Sequence, residues 1–228
     1  MVDEPGPAVL AILTRAPAAG GKSRLFAGLG VAPDPALPLA LLRDTLDAAA
    51  VPGVRRVVAV TPPEAAAATG ALLPRDVRVV PQPDGDLGAR MSGVMLRLST
   101  HGAARVVLIG SDLPELTLAP VARAFALLAE YPNRLVLGPS GDGGYFLIGA
   151  TRVPPVFARI PWGGPNVLAA TLAAAREALV PVHLLDPCTD VDTPADLRRA
   201  ATARPNSRTA AWVRARLGAG WAPAPSAG

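Results

Sequence analysis

The run Ala8–Leu25, AVLAILTRAPAAGGKSRL, decides the fold. Its opening, Ala8–Thr14, is continuously apolar, which reads as a first strand buried on both faces. From Thr14 the pattern breaks into a loop with two glycines and three cations, Arg15, Lys22 and Arg24. A doubly buried strand feeding such a loop predicts a parallel sheet with ligands beyond the carboxyl ends of its strands.

Outward from that run, short β-rich stretches alternate with Ala/Leu-rich helical ones. Strands are expected at Val54–Thr61, Val77–Pro81, Arg105–Gly110, Arg134–Gly138, Tyr145–Gly149 and Val182–Leu185. Helices are expected at Pro38–Ala50, Pro63–Leu72, Gly88–Ser99, Thr117–Glu130, Asn166–Leu179 and Thr193–Ala201. The alternation predicts an α/β fold, a mainly parallel sheet with helices on both faces. The hairpin-like YFLIG segment predicts a small antiparallel insertion. Residues 1–205 read as a single domain and 206–228 as a C-terminal helix (Ser207–Leu217) with an Ala/Pro-rich tail, Ala222–Gly228.

Composition narrows the function classes. Half of the 228 residues are hydrophobic and 18% are charged, enough for a sizeable core. No apolar run approaches the ~18–20 residues of a membrane span. The start, Met1-Val2-Asp3-Glu4-Pro5, lacks a basic n-region, so no secretory signal and a cytoplasmic location are expected. Cys188 stands alone and His101 and His183 lie far apart, so neither a disulfide nor a cysteine or histidine metal cluster is expected. The net charge is only +4, the arginines are scattered along the chain and aromatics are 4%, which argues against nucleic acid. Lys22 is the single lysine among 22 basic residues, so its site is a candidate for an ammonium that arginine cannot replace.

The loops after the strands carry the candidate chemistry. The Arg15–Arg24 loop suits a phosphate chain, although it is neither a Walker A loop nor a dinucleotide Gly-x-Gly-x-x-Gly; a solvated basic loop is the alternative. Asp112 follows the apolar strand Arg105–Gly110 and is a hard oxygen donor suited to Mg²⁺ or Mn²⁺; a turn or cap aspartate is the alternative. Asp190 and Asp192 straddle one residue and share a face in an extended segment, with Asp192 the better second metal ligand and Asp196 a helix-start residue. Gln82–Met91 opens a helix where Arg90 could pair with an anion. In Gly138–Phe146, glycines allow close substrate approach and Asp142 could act as a base or bind hydroxyls. Trp162 could stack on a sugar or base, or simply pack.

Taken in order, TRAPAAGGKSRL, QPDGDLGARM, LIGSDLPELT, LGPSGDGGYFLIG, IPWG and DVDTPADL resemble bacterial glycosyltransferase-like proteins of radical-SAM/selenodomain clusters and arsenosugar biosynthesis. The resemblance spans Ala8 to Arg199 and implies the nucleotide-diphospho-sugar transferase fold of GT-A type. It implies that Arg15, Lys22 and Arg24 line nucleotide phosphates, and that Asp86, Gly88 and Arg90 border the nucleotide or sugar. It makes Asp112 and Asp192 the metal aspartates, although the DxD motif itself is absent. Asp142, Gly143, Gly144, Tyr145 and Trp162 would then form the acceptor side, with Asp142 and Lys22 catalytic. A weaker resemblance, through KSRL and the DxDTPxDL ending, is to 2-phospho-lactate guanylyltransferase and molybdenum-cofactor nucleotidyltransferases. The expected function is therefore metal-dependent glycosyl transfer from a nucleotide-diphosphate sugar to a small-molecule acceptor. The alternative is nucleotidyl transfer from a nucleoside triphosphate with release of pyrophosphate. The sequence does not determine the oligomeric state.

Overall fold

A computed structural model describes residues 6–218, 220 and 221; the tail expected at Ala222–Gly228 lies outside the described residues. Among them seven strands form one sheet: β1 (Ala8–Arg15), β2 (Arg55–Thr61), β3 (Arg78–Pro81), β4 (Arg105–Gly110), β5 (Leu135–Pro139), β6 (Tyr145–Ala150) and β7 (Val182–Leu184). Their spatial order is β3-β2-β1-β4-β6-β5-β7. All neighbours pair in parallel except those of β6, which runs antiparallel to both β4 and β5. The antiparallel part is therefore a reversed strand in the sheet interior, with Phe146–Ala150 buried throughout.

Among the described residues eight α-helices accompany the sheet: α1 (Ser23–Leu29), α2 (Ala36–Ala48), α3 (Ala66–Gly70), α4 (Leu87–Thr100), α5 (Leu118–Glu130), α6 (Val167–Glu177), α7 (Pro194–Ala203) and α8 (Arg208–Leu217). The period-2 geometry of β1 divides the core between the two faces. Leu10 and Ile12 pack with Leu42 and Leu46 of α2 and Val121, Phe125 and Leu128 of α5. Val9 and Ala11 pack on the other face with Met91, Val94 and Met95 of α4 and Ala175 of α6. A satellite core beside the sheet joins Leu25 and Phe26 of α1, Leu41 of α2, Leu197 of α7 and Trp212 of α8.

Two elements differ from the sequence reading. The stretch after Lys22, read as loop, forms the short helix α1. Its single turn of apolar residues gives no usable period, and packing against α7 and α8 makes it helical. The helix expected at Pro63–Leu72 shortens to a 3₁₀ turn, Pro63–Ala65, followed by the five residues of α3. Among the described residues no helix is long and apolar enough to cross a membrane.

Candidate functional site

The carboxyl ends of β1, β3, β4 and β5, together with the segment after β7, converge at one rim of the sheet. Because β6 is reversed, its first residue, Tyr145, joins them there. Two cavities open on this rim. One, of about 440 Å³, is lined by Arg15, Gly20–Arg24, Gln82 and Arg90. The other, of about 650 Å³, is lined by Ser140, Asp142, Gly144, Tyr145, Trp162 and Asp190. Arg24, Gly110, Asp112 and Asp192 line both, so the two cavities meet at these residues.

Lys22 stands at this junction. Gly20, Gly21 and Lys22 have φ of 74°, 130° and 53°, three successive residues in the positive-φ region. A Cβ at Gly20 would meet nothing within 4 Å, so backbone conformation rather than space calls for glycine there. Lys22 accepts the left-handed conformation at the N-cap of α1. Its ammonium reaches 90 residues along the chain to Asp112 and, at 2.7 Å, to Asp192 Oδ1. Burial disfavours the ammonium, but the Asp112 and Asp192 carboxylates outweigh it and raise the Lys22 pKa above its ordinary value.

The carboxylates are placed by two buried anchors. Thr45 of α2 donates its hydroxyl to the Ser111 carbonyl at 3.2 Å and accepts the Leu113 N–H at 3.1 Å, which fixes the turn bearing Asp112. The Val191 N–H donates to the Asp112 carbonyl at 3.1 Å, and the Val191 side chain is buried in the satellite core. With Val191 turned inward, Asp190 and Asp192 both face Asp112. One carboxylate oxygen from each of the three lies within 4.8 Å of the others. Burial and then the Asp112 and Asp192 charges push the Asp190 carboxyl up to about 6. Three hard oxygen donors carrying surplus negative charge fit a divalent cation such as Mg²⁺ or Mn²⁺. Asp190 was passed over as a ligand in the sequence, although its spacing from Asp192 carried the signal. Asp196 instead completes a capping box with Thr193 at the start of α7.

The remaining expected residues divide. Arg15, Arg24 and Arg90 line the first cavity, with Arg90 Nε donating to the Gly85 carbonyl at 3.0 Å. Asp86 accepts the Ala89 N–H at 2.8 Å as the N-cap of α4, and it lines neither cavity. Gly88 lies under the Trp162 ring, where a Cβ would approach to 2.6 Å. Close packing therefore accounts for Gly88. Asp142 lines the second cavity but accepts from the Ser140 hydroxyl and, at 3.0 Å, from the Gly144 N–H. These bonds, the Ser140 one first, lower its pKa and make it a weak base. Gly143, at φ 86°, passes so close to Pro165 that a Cβ would lie 1.9 Å from its carbonyl oxygen. Tyr145 and Trp162 stand edge to face at 6.5 Å, and Trp162 Nε1 is buried with no hydrogen-bond partner among the described residues.

Sequence reading missed Gln82, which is 4% exposed on the wall of the first cavity. Its Nε2 donates to the Thr14 and Ala59 carbonyls at 3.0 and 2.7 Å. Two carbonyl partners fix the orientation of the amide, because only the NH₂ can donate to both. Oε1 is left as an acceptor. A polar residue following the apolar strand β3 was the available signal.

The mostly parallel seven-stranded sheet, with one reversed strand and helices packed on it, is an α/β fold shared with nucleotide-diphospho-sugar transferase neighbours. A crystal structure of a proposed nucleotide-diphospho-sugar transferase from Desulfovibrio desulfuricans G20 matches with a TM-score of 0.81 and 30% identity, covering 92% of this chain and 95% of that one. The chain belongs to the family described as an uncharacterized protein conserved in bacteria (DUF2064), whose model matches residues 45–164. A phosphoenolpyruvate guanylyltransferase of Thermomonospora curvata is 34% identical over 206 residues, covering 88% of this chain and 86% of that protein. A 3-phospho-D-glycerate guanylyltransferase of Phenylobacterium zucineum is 40% identical over 136 residues, covering 57% and 60%. These relatives agree with the weaker of the two sequence resemblances. They favour nucleotidyl over glycosyl transfer, reversing the order expected from the motifs.

Proposed function

We propose that this chain transfers a nucleoside monophosphate from a nucleoside triphosphate to a phosphorylated small acid and releases pyrophosphate. The observation that carries this reading is the meeting of two cavities at Asp112 and Asp192, beside Lys22. The triphosphate occupies the cavity of the Arg15–Arg24 loop and the acceptor the cavity of Tyr145 and Trp162. The names of the relatives favour guanosine triphosphate as donor, with phosphoenolpyruvate or 3-phospho-D-glycerate as the acceptors to try first.

An oxygen of the acceptor phosphate attacks the α-phosphorus. The bond from that phosphorus to the α–β bridging oxygen breaks, and its electron pair leaves with pyrophosphate. The acceptor phosphate is already ionised, so no general base is required, which suits the tied-up carboxylate of Asp142. Arg15, Arg24 and Arg90 hold the phosphates, and the Lys22 ammonium offsets charge building on the transferring and leaving groups. Asp112, Asp190 and Asp192 would hold a divalent cation, which when bound neutralises phosphate oxygens. Gln82 Oε1 is the acceptor offered to an N–H on the edge of the base; guanine carries such donors at N1 and N2.

Glycosyl transfer from a nucleotide sugar is the second reading, favoured by the description of the Desulfovibrio protein. The test is pyrophosphate release from GTP, ATP, CTP and UTP with each acceptor, in Mg²⁺ and in Mn²⁺. Release of nucleoside diphosphate from UDP- or GDP-sugars is measured in parallel. Acceptor-dependent pyrophosphate from GTP is expected. Diphosphate release from a nucleotide sugar, with no pyrophosphate from any triphosphate, overturns the proposal.

A further inference from the structure

A second cavity system lies at the opposite end of the sheet, where no chemistry is expected from the topology. It measures about 340 Å³ and opens at the amino-terminal ends of β1, β2 and β3. Its apolar wall is made by Val9, Val57, Val80 and Leu98, all buried. Around that wall stand Arg55, Arg56, Arg78, Arg97 and His101, with Asp76 as the one acid among the lining residues. Asp76 is already paired with Arg56. The guanidinium groups of Arg55, Arg78 and Arg97 make no ion pair or hydrogen bond among the described residues.

Three unpaired cations around one apolar floor repel one another and attract anions. Arg55 and Arg78 lie on the α4-facing side of neighbouring strands, in the register Val57↔Arg78, and α4 brings Arg97 and His101 across from above. The parallel register and the helix crossing, rather than any run of basic sequence, create the cluster. We infer that this cavity is a second ligand site, specific for a small organic anion with an apolar body and at least two negative charges, such as an aryl or alkyl phosphate. The apolar floor takes the body of the ligand and Arg55, Arg78 and Arg97 its charged group. By strand rise the site lies about 20 Å from Lys22, so it is separate from the transfer site.

Phenyl phosphate, inorganic phosphate and the full-length protein suffice for the test, with amide shifts followed by NMR and affinity by calorimetry. Saturable shifts at Val9, Arg78, Leu98 and His101 are expected, with phenyl phosphate binding about tenfold more tightly there than inorganic phosphate. The double variant Arg78→Gln/Arg97→Gln changes two exposed residues and should lose these shifts while the rest of the spectrum is retained. No saturation at these amides up to about 10 mM phenyl phosphate overturns the inference. Equal affinity for the two anions, or shifts that survive in the double variant, does so as well.

Discussion

Gln82→Met tests the first cavity most sharply, because the replacement keeps side-chain volume and removes only the amide. The wild-type Nε2 satisfies two carbonyls, Thr14 O on β1 and Ala59 O on β2, beneath a residue that is 4% exposed. Losing a donor to a buried carbonyl costs about 1–3 kcal/mol, and here two are lost. The strand ladder keeps some satisfaction for each, so the lower half of the combined range, about 2–4 kcal/mol, is expected. For a protein of this size that lowers Tm by about 5–15 °C. The assay pairs a thermal melt with pyrophosphate release at varied GTP concentration. The fold-bearing amide should set the Tm loss, while the missing Oε1 should raise KM for GTP more than it lowers kcat. A melting temperature within about 1 °C of wild type would refute the bracing role, since losing a donor at two buried carbonyls cannot be that inexpensive. An unchanged KM for GTP, in a variant that still turns over, would separately refute contact with the base.

Three further outcomes follow from particular contacts. Lys22→Arg keeps the charge but forces a planar fork between Asp112 and Asp192, so turnover should fall at least about tenfold with Tm little changed; full activity would refute the need for an ammonium. Mn²⁺ should raise the Tm of the wild type, and Asp112→Asn should abolish that rise while leaving the secondary structure intact by circular dichroism. Asp34 has its pKa lowered by the Ala36 N–H and then by the indole N–H of Trp212 and by Arg216, which ties the start of α2 to α8. A carboxylate lowered in the folded state contributes stability above its unfolded value near 4, and that contribution is lost as pH falls through the folded pKa. The Tm deficit of Asp34→Asn should therefore be full at pH 6 to 7 and shrink in melts below about pH 4.

Local sequence pattern sets the layers of the fold and the rim at which its strands end. A continuous apolar run such as Ala8–Thr14, closed by loop residues, fits a strand in a sheet covered on both faces, and YFLIG after a glycine turn fits a strand that reverses direction. Local pattern therefore carried the strand ends, and with them Arg15, Lys22, Asp112 and Asp192. It did not carry contacts between distant residues. Lys22 and Asp112 are 90 residues apart, and their pairing depends on β1 and β4 lying side by side. Asp86 and Asp142 carry the same charge in sequence as Asp112 and Asp192. Their occupation is local: the Ala89 N–H, three residues on, caps Asp86, and the Ser140 hydroxyl, two residues back, bonds Asp142, so an N-cap and a turn reading account for them. The arginines are different: scattered along the chain, Arg55, Arg78 and Arg97 form a cluster only because parallel strands align their starts and α4 crosses them. Periodicity is a property of neighbours in sequence, so it records which face is buried. The identity of what meets across that face is set by strand order and loop closure, and that is where Lys22, the single lysine, found its two carboxylates.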